Sequence, residues 1–215
     1  MIPDILFEDK YIIVVNKPAG VPVETARIGE QDLISLLRNY LKGKGEAPEV
    51  YPVHRLDQPV SGLLVLAKTR EAASKLSVDL QRDSFSKDYK ARVYKPGTIP
   101  ASGELRDYLV KERDNLSRVV PAGTKGAKEA VLSYELIEEE ADNALLCVHL
   151  KTGRHHQIRV QLSHAGRPIL GDRKYGTGES LAVSERLAIK NVALTAYKLK
   201  FNHPVTGNAM EFVLN

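Results

Sequence analysis

Apolar residues recur at helical spacing in two segments of the first half of the chain. From residue 32 to 42 they lie three or four positions apart, and Gly43 follows where a helix would end. The same spacing returns from 70 to 82, directly after Thr69, whose hydroxyl is suited to cap a helix N-terminus. The predicted inward face of this second segment consists of Ala72, Ala73, Leu76 and Leu80. The pattern therefore predicts two amphipathic helices.

Short apolar and β-branched runs alternate with these helices and predict strands. Ile12–Asn16 precedes a Lys-Pro-x-Gly turn, and Leu63–Ala67 is apolar throughout. From Tyr89 onward most of the pattern is typical of strands, at 89–94, 131–136, 144–150, 193–201 and 210–214. Helices are predicted only at 157–165 and at about 181–190, and a turn at 202–207. Consecutive strands outnumber helices, which favours an α+β fold with a largely antiparallel sheet, as a single domain over 1–215.

Composition indicates an ordinary globular protein, with 43% hydrophobic and 27% charged residues. The single cysteine, Cys147, lies in an apolar run, which predicts a buried thiol in a reducing compartment. The N-terminus lacks the basic and apolar regions of a signal peptide, and no apolar run is long enough to span a membrane. We therefore expect a cytoplasmic protein without membrane contact.

The net charge of +4 and the isoelectric point of about 9.0 are compatible with a nucleic-acid partner but do not establish one. Residues 151–174 concentrate basic side chains against a single acid, Asp172. These basic residues are Lys151, Arg154, Arg159, Arg167, Arg173 and Lys174. Thr152-Gly153 predicts a tight turn before a helix, and backbone amides at a helix start suit a phosphate or a carboxylate.

A carboxylate stands between a loop and a buried strand in the segment His54–Gly62. Asp57 has His54, Arg55 and Ser61 as potential partners, and a loop that ends at a buried strand can hold a carboxylate rigidly. An isolated Arg-x-Asp segment is more often a structural turn, in which the aspartate pairs with the arginine. Alone, this segment therefore leaves both interpretations open.

Two further segments carry polar groups of less specific meaning. Tyr89 opens a strand after Lys87, where a tyrosine is most often packing. His155 and His156 lie near His164 in sequence, but adjacent histidine side chains usually diverge and no common zinc spacing is present. The chain also lacks a P-loop, a dinucleotide-binding glycine pattern, a serine nucleophile elbow and a kinase motif. We therefore expect no metal and no cofactor.

Together the segments resemble the RluA family of RNA pseudouridine synthases along nearly the whole chain. Each motif is weak alone, but six in order at suitable spacing are specific. They are Val15–Gly20, His54–Asp57 with Ser61-Gly62, Lys87-x-Tyr89, Thr152–Arg159, Arg167–Asp172, and 193–201 with His203–Gly207. The resemblance implies the pseudouridine synthase core, a mixed and mainly antiparallel sheet flanked by helices and loops, with a catalytic cleft across its middle.

The chain departs from the family pattern at Val60, where a threonine is common. The substitution removes a hydroxyl, and the preceding Pro59 stiffens the loop, so we expect the hydrogen bonding of the loop to differ from the family pattern. The resemblance to the catalytic core starts near the first residue, so we expect no small N-terminal RNA-binding domain of the kind that some relatives have.

The resemblance implies roles for individual residues. Asp57 is the catalytic carboxylate, either as a nucleophile on the uridine or as a base at the ribose, and Arg159 is its ion-pair partner. Tyr89 stacks on the target base, and Arg55 enters the RNA stack when the uridine leaves it. The other substrate-binding candidates are His54, Arg154, Leu170, Arg173 and Lys174.

The expected reaction is an isomerisation of uridine in ribosomal or transfer RNA, with RNA as the partner and with the protein as a monomer. The rival hypotheses are a non-catalytic RNA-binding protein that keeps the fold, and a hydrolase that uses the Asp–Arg pair. The first would tolerate loss of Asp57, and the second would need a water-activating base or a metal. The sequence does not name the target uridine.

Overall fold

A computed structural model describes residues 4–27, 29–80, 82 and 84–214. The elements in chain order are β1 (Asp4–Glu8), β2 (Ile12–Lys17), α1 (Leu33–Gly43), β3 (Tyr51–Pro52), β4 (Ser61–Ala67), α2 (Arg70–Asp79), β5 (Ser86–Tyr94), β6 (Ser102–Lys111), β7 (Ser117–Val120), β8 (Lys128–Glu139), β9 (Asn143–Leu150), α3 (Gln157–His164), α4 (Gly178–Arg186), β10 (Leu194–Asn202) and β11 (Ala209–Val213). The chain forms two compact units. The first unit comprises the residues up to Lys87 and those from Thr195 onward, and the second comprises Asp88–Leu194.

The first unit has a mixed sheet. Strand β2 pairs antiparallel with β1 and with β4, and β10 pairs antiparallel with β11. Strands β4 and β10 run parallel, with Ser61 opposite Thr195 and Gly62 opposite Ala196. The core between this sheet and α2 contains Val14, Val65, Leu76 and Phe201 among its buried residues. Leu63, Val65 and Ala67 belong to this core, and Leu64 and Leu66 are also buried, so β4 is covered on both faces and 63–67 is apolar throughout.

The two helices of the first unit begin at side-chain caps. The Asp32 carboxylate accepts a hydrogen bond from the Ser35 amide at the start of α1, and Thr69 accepts one from Ala72 at the start of α2. Gly43 is the last residue of α1, and Lys44 follows as its C-cap. Both helices were predicted, although α2 ends at Asp79 and not at residue 82.

The second unit has an antiparallel sheet in the order β5, β9, β8, β6, β7. Helix α3 is tied to this sheet by buried amide side chains. Gln157 donates a hydrogen bond to the carbonyl of Val131, and Gln161 donates one to the carbonyl of Ala130. These bonds fix the rotation of α3 and so decide which way its other side chains project.

The predicted α+β class, with a mainly antiparallel sheet, is confirmed. The pattern did not predict β1, β3, β6 and β7. Strand β6 has charged residues on an exposed face, so its alternation does not stand out as an apolar stripe. No helix among the described residues is long and apolar enough to cross a membrane. The single-domain assignment over 1–215 stays a prediction.

Candidate active-site residues

The segment that contains Asp57 connects β3 to β4 in the first unit. Leu56 is buried and anchors the loop, whereas Arg55 is exposed and Asp57 is half-buried. The amide of Val60 donates a hydrogen bond to the carbonyl of Asp57 at 3.0 Å, which closes a tight turn. The loop therefore presents Asp57 from a fixed backbone, as the sequence suggested.

Lys17, the last residue of β2, holds this loop from inside the protein. Its side chain is 0% exposed, and its ammonium nitrogen donates hydrogen bonds to the backbone carbonyls of Pro18, Val21 and Gln58, at 3.0, 2.7 and 3.1 Å. The amide of Gly20 also donates to the carbonyl of Gln58, at 2.8 Å. Hydrogen bonds from the Lys17 ammonium group and the Gly20 amide thus join the Lys-Pro-x-Gly turn to Gln58, the residue after Asp57.

The negative charge of Asp57 also affects the pKa of Lys17. Burial lowers the pKa of Lys17 to about 8, and the negative charge of Asp57 opposes this effect. Lys17 was not among the predicted site residues, because a lysine beside a turn is normally exposed. The only signal was its place at the end of an apolar strand.

The close approach of β4 to β10 explains why a glycine follows Ser61 at the start of β4. Gly62 has φ +118°, and a Cβ at this position would lie 2.3 Å from the carbonyl oxygen of Ala196. The hydroxyl groups of Ser61 and Thr195 are hydrogen-bonded at 2.9 Å. Only glycine allows β4 to approach β10 this closely where the Asp57 loop ends.

Val60, the departure from the family pattern, is buried, with 3% of its surface exposed. Valine has nearly the shape of threonine, so its apolar side chain fits an interior position without the hydroxyl. The departure is therefore compatible with the same loop backbone.

His54 lies inside the first unit. Its Nε2 atom accepts a hydrogen bond from the Val65 amide at 3.4 Å, and its ring packs edge-on against Phe85. Nδ1 has no hydrogen-bond partner among the residues that the structure describes. Burial, with a smaller effect of the Lys87 charge, holds the pKa of His54 well below its usual range. This placement favours a role in holding the loop, and the expected contact of His54 with substrate stays a prediction.

In the second unit, α3 begins at His156, which has a left-handed backbone with φ +54°. Gln157 then closes the preceding turn, because its side-chain oxygen accepts hydrogen bonds from the Arg154 amide and the Thr152 hydroxyl, at 3.0 and 2.8 Å. The residues from Thr152 to Arg159 thus determine where α3 begins and how the helix is rotated about its axis.

Arg159 projects from α3 into a buried ion pair with Asp172. Nε and Nη2 donate to the two carboxylate oxygens at 2.7 and 2.9 Å, and the exposed fractions of the two residues are 2% and 1%. Asp172 ends the motif Arg167–Asp172 and is the single acid of the basic run, but the sequence analysis gave it no role. Arg159 and Asp57 belong to different units, and their predicted pairing stays a prediction.

Tyr89 and Leu170 also lie in the second unit. Tyr89 stands on β5 opposite Val148 of β9 and is 5% exposed. Leu170 is fully buried, and its backbone is hydrogen-bonded to Arg92 and Ala193. The roles predicted for these two residues at the target base stay predictions.

The basic run 151–174 divides into groups with different environments. Lys151 forms an ion pair with Glu104, and the guanidinium of Arg167 donates to the carbonyls of Ala165 and Thr98. The exposed members are Lys151, Arg154, Arg173 and Lys174, and Nε of Arg154 donates a hydrogen bond to the carbonyl of Glu129 at 2.8 Å. The hydrogen bonds of Arg167 indicate a structural role, and Arg173 and Lys174 are better placed for RNA, while the RNA contact expected of Arg154 stays a prediction.

The expectation that His155 and His156 diverge is wrong. Their rings stack with centroids 3.8 Å apart, and His156 has a left-handed backbone. They have different partners: Nδ1 of His155 bonds the hydroxyl of Ser117 at 2.9 Å, and Nδ1 of His156 bonds that of Tyr175 at 2.7 Å. The described residues contain no group of three or more His, Cys, Asp or Glu side chains placed to hold a metal ion.

Comparisons with known proteins agree with these motifs. Residues 11–164 match the family model described as RNA pseudouridylate synthase. Ribosomal large subunit pseudouridine synthase D of Pseudomonas aeruginosa is 36% identical over 97% of this chain and 67% of its own length. tRNA pseudouridine synthase C of Yersinia pestis is 29% identical, over 96% of this chain and 84% of its own. This chain thus spans about two thirds of the synthase D relative.

A solved structure has the same fold. Human RNA Pseudouridylate Synthase Domain Containing 4 aligns with a TM-score of 0.79 and 25% identity, over 99% of this chain and 88% of that chain. Since the family model covers more than half of the chain and a relative is 36% identical, the resemblance to the RluA family is confirmed, and the chain belongs to the RNA pseudouridylate synthase family.

Proposed function

We propose that this chain converts specific uridines of ribosomal or transfer RNA to pseudouridine, with the Asp57 carboxylate as the catalytic group. The observation that carries the proposal is the Asp57 loop. Its backbone is fixed by Lys17 and by the Val60 turn, while the carboxylate stays half-buried. A rigid, ionised carboxylate is what both proposed roles require, as a nucleophile on the uridine or as a base at the ribose.

The reaction cleaves the N-glycosidic bond, rotates the uracil and reattaches it through carbon. Because the reaction is an isomerisation, it has no net redox change and needs no group donor. The target must leave the RNA stack before its glycosidic bond can be attacked, at a cost of about a few kcal/mol. The exposed position of Arg55, two residues before Asp57, supports its proposed role of entering the stack in place of the uridine.

Tyr89 and Arg159 are proposed to act with Asp57 on the same uridine, Tyr89 by stacking on the base and Arg159 by pairing with the carboxylate. The support for both roles is the match to the family motifs. A buried arginine is also suited to the second role, since guanidinium stays charged where burial would neutralise a lysine.

The RNA substrate is supported by the printed names of the relatives, which include a ribosomal large subunit synthase and a tRNA synthase. The exposed cations Arg154, Arg173 and Lys174 lie along one segment that includes the start of α3. They are our candidates for phosphate contacts, and such contacts position RNA without reading its sequence.

The direct test is Asp57→Asn, assayed for pseudouridine in RNA under single-turnover conditions. We expect no detectable product, with RNA affinity and thermal stability near those of the wild type, because the amide is close to isosteric but is a poor nucleophile and base. Asp4→Asn, an exposed aspartate on β1, is the matched control and should keep full activity. Substantial turnover by Asp57→Asn would refute the mechanism and favour a non-catalytic RNA-binding role.

The substrate itself is named by mapping pseudouridine in cellular RNA with and without the gene. Sites that disappear in ribosomal RNA or in transfer RNA decide between the two classes. If no site disappears and the purified protein binds RNA without modifying it, the catalytic proposal fails.

A further inference from the structure

The segment 171–176 surrounds the Arg159 guanidinium on two sides. Asp172 takes the edge formed by Nε and Nη2, at 2.7 and 2.9 Å. The ring of Tyr175 lies against the guanidinium face, with its centroid 5.1 Å from Cζ. An edge bond and a face contact together restrict both the translation and the rotation of a planar group.

Asp172 is itself held by the backbone that it organises. Its Oδ1 atom accepts hydrogen bonds from the amides of Lys174 and Tyr175, at 3.0 and 3.3 Å. Its carbonyl accepts a bond from Gly176 at 2.8 Å. The carboxylate therefore cannot follow a moving arginine, and the same turn that fixes it also carries Tyr175.

Glycine is required on both sides of this turn. A Cβ at Gly171 would lie 2.0 Å from the carbonyl oxygen of Asn191, and one at Gly176 would lie 2.4 Å from that of Asp172. Both obstacles are backbone atoms, so neither can move aside cheaply. The Gly-Asp-x-x-Tyr-Gly pattern at 171–176 is thus explained by the turn that holds Arg159.

The hydroxyl of Tyr175 extends the arrangement to the start of α3. It accepts a hydrogen bond from the Ser117 amide at 2.9 Å and lies 2.7 Å from Nδ1 of His156. The hydroxyl has one proton and two lone pairs, so it can bond both the Ser117 amide and Nδ1 of His156 in either tautomer of the histidine. Tyr175 is therefore anchored at one end by β7 and His156 while its ring supports Arg159.

We infer that Asp172 and Tyr175 are positioning residues, which hold Arg159 in one orientation for catalysis. The inference rests on the proposed function, in which Arg159 acts on the reacting centre. In this inference the turn 171–176 affects the reaction by holding Arg159 and not by contact with RNA. Displacement of a catalytic group by about 1 Å can reduce a rate by about 100-fold, so the cost of losing the support should fall on turnover.

The test compares Asp172→Asn and Tyr175→Phe with the wild type in single-turnover assays and RNA-binding assays. Asp172→Asn should lower the rate by about 100-fold and Tyr175→Phe by about tenfold, with the dissociation constant for RNA unchanged within about twofold. Tyr134→Phe, another buried tyrosine of the second unit, is the matched control and should be unaffected. Tyr175→Phe keeps the test decisive if Asp172→Asn does not fold.

Two measurements separate positioning from general damage. In an Arg159→Met background, Asp172→Asn should cause no further loss of rate, because its effect passes through the arginine. In NMR spectra, the Arg159 Nε–H signal, identified by its loss in Arg159→Met, should exchange slowly with water in the wild type and quickly in Asp172→Asn.

Wild-type turnover by a folded Asp172→Asn, additive losses in the Arg159→Met background, or a defect confined to RNA affinity would overturn the inference. A wild-type protein without activity on any RNA would overturn the proposed function alone. The NMR experiment would still decide whether Asp172 immobilises Arg159.

Discussion

The buried ammonium group of Lys17 should give the protein a measurable pH dependence of stability. Its pKa is about 8 in the folded chain and returns to its ordinary value, near 10.5, on unfolding. Between these two values the unfolded chain binds more protons than the folded chain, so the unfolding free energy rises with pH. For this shift, the gain between pH 7 and pH 9.5 is about 2 kcal/mol, since the cost of burying the charge disappears as the native lysine loses its proton.

The assay is urea denaturation of the wild type and of Lys17→Met at several pH values from 7 to 9.5. Subtraction removes the contributions of all other groups, and the difference should move by about 2 kcal/mol in favour of the wild type as the pH rises. Lys42→Met, an exposed lysine on α1, is the control and should give a constant difference. In Asp57→Asn the rise should begin at lower pH, because the Asp57 charge raises the pKa of Lys17.

A difference that stays constant with pH would refute the argument, because Lys17 would then have the same pKa in both states. A difference that moves against the wild type would show a stabilised ammonium, whose three carbonyl bonds outweigh the loss of solvation.

Two further predictions follow from the fold and the surface. Gly62→Ala should lower the unfolding free energy by about 3 kcal/mol or more, through positive-φ strain and separation of β4 from β10, whereas Gly43→Ala, with open space around it, should change it by at most about 1 kcal/mol. Denaturant titration checks both, and equal effects would contradict the close-approach argument. Replacing Arg173 and Lys174 together by Ala should weaken RNA binding and reduce the slope of log K against log salt by about 1.4 to 1.8, in filter-binding titrations. The control removes two exposed cations of α1, Arg38 and Lys42, and an equal reduction there would place the RNA elsewhere.

The sequence predicted best those features that depend on neighbouring residues alone, such as a helix cap or a buried strand. The cap at Thr69 and the apolar strand 63–67 were predicted because a hydroxyl at a helix start and a fully buried strand each have a direct signature, whereas the Asp32 cap of α1 was not predicted. The ends of α2 and α4 were predicted less accurately, since packing decides how far a helix continues.

Contacts between distant residues were not predictable in the same way. Counting charges in 151–174 treated six cations alike, yet Arg159 is buried, Arg167 is bonded to carbonyls and Lys151 is paired with Glu104. Sequence spacing does not report burial, and burial decides whether a cation is a structural group or a phosphate ligand. The buried ammonium of Lys17 escaped prediction for the same reason.

The ion pair of Arg159 with Asp172 limits which N–H groups of Arg159 could bind Asp57 in the predicted pairing. A guanidinium has five N–H groups, and Asp172 uses one on Nε and one on Nη2. A second carboxylate would have to bind the remaining edge, formed by Nη1 and Nη2, which a planar fork allows and a lysine ammonium cannot reproduce. Arg159→Lys should therefore recover little of the single-turnover rate that Arg159→Ala loses, and Asp57→Asn should mask any further loss from either change. If Arg154→Ala instead reduces turnover more than Arg159→Ala does, the carboxylate partner is Arg154, and the buried pair with Asp172 serves the fold of the second unit alone.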